Sequence, residues 1–176
     1  MSGNIPSIYL VGAIRDGRKD DIDWRDNMID ALDRQAVFLN PVGGKRFNPE
    51  TKAWDMSGIP PKAEVIVKHD FWCVDKADII IANMTSLAEG YPSIGSLIEI
   101  GRATARGSLI YIILDPNYQG HGNLAMFKLH PFLAQNAAAT FDTVDSCITF
   151  LSRHLNVLNG MDPYYDGDVH ETLVAQ

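Results

Sequence analysis

The sequence predicts an α/β fold, and two observations support this. Short apolar runs rich in β-branched residues alternate with amphipathic helical patterns. The runs are apolar throughout, which is typical of parallel strands covered by helices on both faces. A length of 176 residues fits one such domain. We therefore predict a single doubly wound domain, Rossmann-like or flavodoxin-like, with a parallel sheet of about five strands.

Each element of this prediction corresponds to a segment bounded by turn-forming residues. The predicted strands are SIYLVG (7–12), AVFLNP (36–41), DIIIAN (78–83), LIYIIL (109–114) and AATFDT (138–143). Helical periodicity covers 22–35, 63–76, 96–106, a short stretch after Asn123, and 143–155.

Two segments fall outside this alternation. Residues 43–61 are rich in Gly, Pro and Asn and have no sustained period. A loop of that length is usually functional or disordered, and we expect Phe47 or Trp54 in it to stack on a ligand. The tail at 159–176 is also irregular but carries two tyrosines. The predicted domain is therefore 1–158, with an insertion loop at 43–61 and a separate C-terminal tail.

The bulk composition excludes several function classes. A formal charge of −7 and a pI near 5.1 argue against a binder of nucleic-acid polymers or anionic membranes. Cys73 and Cys147 lie far apart, and we interpret both as reduced core residues. The five histidines have no metal-binding spacing, so we expect neither a metal site nor a cofactor. His121 is interpreted as a surface residue. No signal peptide or membrane span is recognisable, and we expect a cytoplasmic protein.

The loop after the first predicted strand is a candidate anion site. Ligands of parallel α/β sheets bind beyond the carboxyl ends of the strands. Here Gly12 and Gly17 flank Arg15, and Arg18 follows. Glycine lets backbone N–H groups approach an anion, and arginine offers a planar fork for phosphate. The alternative is a polar turn whose aspartates favour the start of the next helix.

Asp70 interrupts an apolar helical stripe formed by Ala63, Ile66, Val67 and Val74. A buried carboxyl group holds its proton more tightly because the charged form loses solvation, which suits a general acid. The alternative is a structural aspartate bonded to a neighbouring group.

Glu99 lies among apolar residues in GYPSIGSLIEIGRA (90–103). In one interpretation, Ser96 to Glu99 form a capping box, with Glu99 bonding back to the helix start. In the other, Glu99 lies in the first turn of a helix at the carboxyl end of a strand, where the helix dipole keeps it ionised and nucleophilic. Together with Asp70 it would supply the two carboxyl groups that glycosidic bond cleavage requires.

These residues together resemble the nucleoside 2-deoxyribosyltransferase superfamily, which includes the 2'-deoxynucleoside 5'-monophosphate N-glycosidases. The similarity is carried by IYLVGAIRDGRKDD, VIVKHDFWCVDKADIIIANM and PSIGSLIEIGRATARG, with a weaker match at GNLAMF. It implies that Glu99 attacks C1' of the deoxyribose, that Asp70 is the acid/base group for the base, and that Tyr9 orients Glu99. The implied substrate-binding residues are Gly12, Ile14, Arg15, Gly17, Arg18, Ser93, Gly95 and Asn123.

The resemblance leaves two reactions open. Ser93 replaces an aspartate of the transferases and agrees with the monophosphate hydrolases, as does the AIRDGRKDD loop. Against that, Ala13 and Leu124 stand where the hydrolases place phosphate-binding serines, and Asn123 resembles a transferase asparagine. We predict hydrolysis of 2'-deoxyribonucleoside 5'-monophosphates to free base. The alternative is transfer of deoxyribose between bases.

The resemblance also implies partners. The expected ligands are a nucleotide or nucleoside and a free nucleobase. Because Asn123 and the tail segment PYYDGDV resemble transferase segments that complete a neighbouring subunit's site, we expect a homodimer or larger homo-oligomer. A non-catalytic nucleotide-binding module is the alternative from another class, since one fold hosts many functions.

Overall fold

The computed structural model describes residues 5–15, 18–42, 46–48, 53–55, 63–91, 93–115, 118 and 131–159, and at 46–48, 53–55, 63 and 132 it describes the backbone. Gly17, His121, Asn123, Leu124 and the tail segment 160–176 lie outside these ranges, as do the side chains of Phe47 and Trp54. Predictions that concern them remain predictions.

The elements follow one another in an alternating order. They are β1 (Ser7–Gly12), α1 (Asp20–Ala31), β2 (Val37–Leu39), β3 (Arg46–Asn48), β4 (Ala53–Asp55), α2 (Ala63–Lys76), β5 (Ile79–Asn83), a short 3₁₀ helix (Thr85–Leu87), α3 (Ile94–Arg106), β6 (Leu109–Ile113), α4 (Pro131–Ala134), β7 (Ala139–Phe141) and α5 (Val144–Leu158).

Five of these strands form one parallel sheet in the order β2-β1-β5-β6-β7. All four neighbouring pairs are parallel, with Tyr9 aligned to Leu39 on one side and to Ile80 on the other. This order is the flavodoxin-like arrangement of doubly wound domains. The predicted fold class is confirmed.

The sheet separates two apolar layers, because successive strand residues point to opposite faces. On β1, Tyr9 and Val11 pack with buried residues of α2 and α3. Ile8 and Leu10 pack on the other face with residues of α1 and α5. Cys73 lies in the first layer and Cys147 in the second, and neither forms a disulfide. Burial on both faces explains why the strands lack a polar side.

Several boundaries differ from the sequence prediction. The first helix begins at Asp20 and ends at Ala31, because the chain then turns and Arg34 adopts a left-handed φ of 66°. The segment 43–61, expected to be an irregular loop, contains the two antiparallel strands β3 and β4, with Phe47 aligned to Trp54. These strands are only three residues long, too short for alternation to be recognised in the sequence.

The topology also indicates where a ligand would bind. The chain passes from β1 to β2 on one side of the sheet and from β5 to β6 on the other. The carboxyl ends of β1 and β5 therefore flank the switch point, where open α/β sheets bind ligands.

Candidate functional site

A partly buried hydrogen bond joins the first strand to the third helix. The Tyr9 hydroxyl donates to Glu99 Oε1 at 2.7 Å. Tyr9 is fully buried on β1, and α3 packs on the same face of the sheet. Glu99 itself is half-buried. A neutral phenol thus fixes one carboxylate oxygen and leaves the negative charge of Glu99 uncancelled by that contact.

Both interpretations of Glu99, as part of a capping box and as a first-turn residue, assumed that its helix begins later than it does. The helix begins at Ile94, and its N-cap is Ser93, whose hydroxyl accepts from the backbone N–H of Ser96 at 3.4 Å. Glu99 therefore lies in the second turn, and Ser96 is the third helical residue rather than the cap. The capping-box interpretation is wrong, and so is the first-turn position. A second serine three residues earlier supplied the competing N-cap.

The environment of Tyr9 keeps its hydroxyl protonated. Burial raises the pKa of Tyr9 well above its ordinary range, and the negative charges of Glu99 and Asp70 raise it further. The phenol is therefore a permanent donor to Glu99.

Asp70 is less deeply buried than its apolar stripe suggested. Its side chain is 18% exposed, and Oδ1 lies 3.1 Å from Nδ1 of His69. Val67, assigned to the same stripe, is 47% exposed, whereas Cys73 and Val74 are buried. The inward face of α2 therefore runs along Cys73, Val74 and Ala77. Asp70 lies at the edge of that face, where a carboxyl group can meet both the protein and a ligand.

The two arginines of the predicted anion loop are both paired with carboxylates. Arg15 donates from Nε and Nη2 to the two oxygens of Asp21 at 2.9 and 2.7 Å, and its backbone N–H donates to the same carboxylate. The hydrogen bond to Asp21 raises the pKa of Arg15. Its remaining terminal nitrogen, Nη1, donates to Glu89, as does Arg18 Nη2, which lies 2.7 Å from each Glu89 oxygen.

A third arginine, Arg25, binds the backbone at the carboxyl end of β1. Arg25 is fully buried, and its Nη2 donates to the carbonyl of Gly12 at 2.9 Å. Burial lowers the pKa of Arg25 to about 10. A Cβ on Gly12 would lie 3.1 Å from Trp24 and 3.2 Å from Arg25. A side chain at Gly12 would therefore crowd α1, which favours glycine at this position.

A small cavity opens beside these arginines. It measures about 80 Å³, below the 300 Å³ or more of pockets that hold a whole drug-sized ligand, so it fits one end of a substrate. Its lining includes Ala13, Arg15, Arg18, Ser86 and Glu89. Within the described chain the Ser86 hydroxyl oxygen is buried and has no hydrogen-bond partner.

Residues 5–118 match the model of the family described as "Nucleoside 2-deoxyribosyltransferase like". This match spans β1 to β6 and therefore includes Tyr9, Asp70 and Glu99. The chain belongs to the nucleoside 2-deoxyribosyltransferase-like family. The predicted family and its enzyme class are confirmed.

Solved structures agree with this fold. A conserved protein from Enterococcus faecalis shares 14% identity, with a TM-score of 0.61, 85% of this chain and 99% of that chain covered. A 2-desoxiribosyltransferase from Leishmania mexicana shares 18% identity, with a TM-score of 0.62 and coverages of 85% and 98%. A CMP N-glycosidase from Clostridium botulinum shares 18% identity, with a TM-score of 0.51 and coverages of 84% and 98%. A search of curated proteins gave no significant match.

Within this deoxyribosyltransferase-like fold, the predicted site residues fall into two groups. Tyr9, Asp70 and Glu99 lie on β1, α2 and α3, three elements that pack together on one face of the sheet. Arg15 and Arg18 form a second cluster with residues that the sequence analysis did not select. Ser93 and the exposed Gly95 lie at the start of α3, and Ile14 is partly exposed beyond β1.

Three residues of the second cluster were missed by the sequence analysis. Asp21 lies in the first turn of α1 and also binds Arg15. Ser86 and Glu89 lie between β5 and α3 in a segment with no recognisable motif. An available signal was their position after a strand that ends at the switch point.

The described residues show neither a metal site nor a membrane-spanning helix. They contain no group of three or more His, Cys, Asp or Glu side chains arranged to hold a metal ion. None of the helices among them is both long and apolar enough to cross a bilayer.

Proposed function

We propose that this protein cleaves the N-glycosidic bond of 2'-deoxyribosides through a covalent intermediate on Glu99. The observation that carries the proposal is the Tyr9–Glu99 hydrogen bond of 2.7 Å, with Asp70 acting on the same tyrosine. A half-buried carboxylate oriented by a neutral donor suits a nucleophile, and a second carboxyl group nearby suits an acid/base catalyst.

The reaction proceeds in two displacements. A Glu99 oxygen attacks C1', the bond from C1' to the base nitrogen breaks, and Asp70 donates a proton to the departing base. An acceptor then attacks C1', Asp70 takes the acceptor's proton, and the ester bond to Glu99 breaks. Water as acceptor gives hydrolysis, and a second nucleobase gives deoxyribosyl transfer.

The sequence supports both outcomes. Hydrolysis of the 5'-monophosphates is supported by Ser93 and by the positions of Arg15 and Arg18 beyond β1. Transfer is the second candidate, supported by Asn123, which lies outside the described residues.

A base-release assay with Glu99→Gln tests this function. Purified protein is incubated with each 2'-deoxynucleoside and each 5'-monophosphate, with and without a second base, and products are separated by chromatography. We expect wild type to release base and the variant to lose at least about a thousandfold in turnover, since a carboxamide cannot form the glycosyl ester. Glu64→Gln, the same change at an exposed site on α2, is the control. A Glu99→Gln variant with full activity would refute the mechanism and favour a binding module.

We also propose a homo-oligomer. Ile94, Leu97 and Ile98 on α3 are exposed, as are Gly101 and Ala105, and together they form an apolar stripe opposite the buried face of the helix. Trp72 on α2 is 53% exposed. A contiguous apolar surface of this kind is typical of a protein interface. Gel filtration of a fully active, stable monomer would refute this proposal.

A further inference from the structure

Arg15 and Arg18, beyond the end of β1, already bind a carboxylate of the protein itself. The Glu89 carboxylate accepts hydrogen bonds from Arg15 and, through both of its oxygens, from Arg18. Two guanidinium groups converging on one carboxylate are an arrangement that would also bind a phosphate. Glu89 therefore occupies the position that a substrate phosphate would need.

Each of the three side-chain nitrogens of Arg15 donates to a carboxylate. One edge of its guanidinium, Nε with Nη2, binds Asp21, and Nη1 binds Glu89. The charges of Arg15 and Arg18 are balanced by those of Asp21 and Glu89, and Asp20, which also lines the cavity, makes the lining net negative. A phosphate dianion entering here would meet a negative lining rather than two unpaired cations.

The backbone holds Glu89 in place. It lies in a turn after the 3₁₀ helix, where its N–H donates to the carbonyl of Ser86 at 3.2 Å. Gly90 follows with a left-handed φ of 76°, and the N–H of Tyr91 returns to the same carbonyl at 3.0 Å. The carboxylate is thus presented to the arginines by a closed turn.

The residues that line the cavity also favour a hydroxyl group over a phosphate as the bound group. Ser86 lines the cavity, and its buried hydroxyl has no hydrogen-bond partner among the described residues. Thr85, beside it, is already bonded to Asn83. A hydroxyl such as the sugar's 5'-OH can exchange hydrogen bonds with both a serine and a carboxylate, whereas a phosphate is repelled by the carboxylate.

We propose that Glu89 is a specificity-determining residue that fills the Arg15–Arg18 clamp and selects substrates with an unphosphorylated 5' end. This inference rests on the proposed function and decides between its two substrate forms. It favours nucleosides over the 5'-monophosphates that the sequence suggested.

The test compares kcat/KM for each 2'-deoxynucleoside and its 5'-monophosphate in wild type, Glu89→Gln, and Glu64→Gln as the matched control. We expect wild type to prefer nucleosides. Glu89→Gln removes the competing charge and should raise the monophosphate-to-nucleoside ratio about tenfold or more, while Glu64→Gln leaves that ratio unchanged. The double variant Glu89→Gln/Arg18→Gln should lose most of this gain, because the freed guanidinium is what binds the phosphate.

The inference is overturned if wild type prefers monophosphates, or if Glu89→Gln leaves the ratio within twofold of wild type. Absence of base release from every compound would refute the proposed function instead. In that case calorimetric titration with 2-deoxyribose 5-phosphate still tests Glu89. Tighter binding by Glu89→Gln than by wild type supports the inference, and equal binding overturns it.

Discussion

The two groups of site residues hold their carboxylates in opposite ways. Glu99 is fixed by the neutral hydroxyl of a fully buried tyrosine, while Glu89, with its side chain 47% exposed, is fixed by two arginines. A neutral donor orients a carboxylate without cancelling its charge, whereas a guanidinium pair neutralises it. The two kinds of partner therefore leave different net charges at the two carboxylates, as the proposed roles of Glu99 as a nucleophile and of Glu89 as a residue that fills a binding position require.

The largest effect is expected from replacing Asp70, the proposed acid/base residue of the first group. Asp70→Asn should lower kcat on ordinary deoxynucleosides by about 10² to 10⁴, because the base must then leave without a proton. The kcat on a 7-methylated purine deoxyriboside should fall much less, because the base of this substrate departs without protonation. Stopped-time chromatographic assays on both substrates measure the difference, with exposed Asp33→Asn as control. Equal losses on both substrates would mean that Asp70 does not donate the proton.

The second-largest effect is expected from replacing Tyr9, the neutral hydrogen-bond donor to Glu99. Tyr9→Phe should reduce kcat about ten- to a hundredfold, since Glu99 loses the bond that orients it, while the free energy of unfolding falls by about 1 kcal/mol. The acid limb of the pH–rate profile should move to higher pH, because the ionised carboxylate loses a stabilising donor. Chemical denaturation and a pH series measure the two effects. An unmoved acid limb would assign Tyr9 a packing role alone.

The smallest effects are expected in the second cluster, where Arg15 and Arg18 are paired with carboxylates. Arg18→Gln should change the free energy of unfolding by less than about 0.5 kcal/mol, because exposed ion pairs contribute little. The hydrogen bond from Arg15, aided by the charges of Arg15 and Arg18, lowers the pKa of Glu89. The small stability that Glu89 contributes is therefore present above the ordinary glutamate value and lost as pH falls through the lowered pKa. Urea melts of wild type and Glu89→Gln should converge in that acid range. A difference that persists there would contradict this assignment.

From the sequence, Tyr9, Asp70 and Glu99 of the first group were selected, but only Arg15 and Arg18 of the second. Glu99 and Asp70 were recognisable because carboxylates interrupt apolar helical faces, and all five sheet strands were recognisable as apolar runs. The start of α3 was misplaced by two residues because Ser93 and Ser96 are both acceptable N-caps, and the local sequence does not distinguish them. Glu89 carries no local signal, since an exposed glutamate in a turn is ordinary.

By itself, the sequence determined the fold class, the family and the residue types available for chemistry, because hydrophobic periodicity and short motifs are local properties. The tertiary structure decided which of those groups meet. Tyr9 and Glu99 are 90 residues apart in the chain, and Arg15 and Glu89 are 74 apart. Such pairs are created by the parallel packing of β1 beside β5 and of α3 on the sheet. The topology of the sheet sets the distance between two side chains that are so far apart in the sequence. No single segment of the chain determines it.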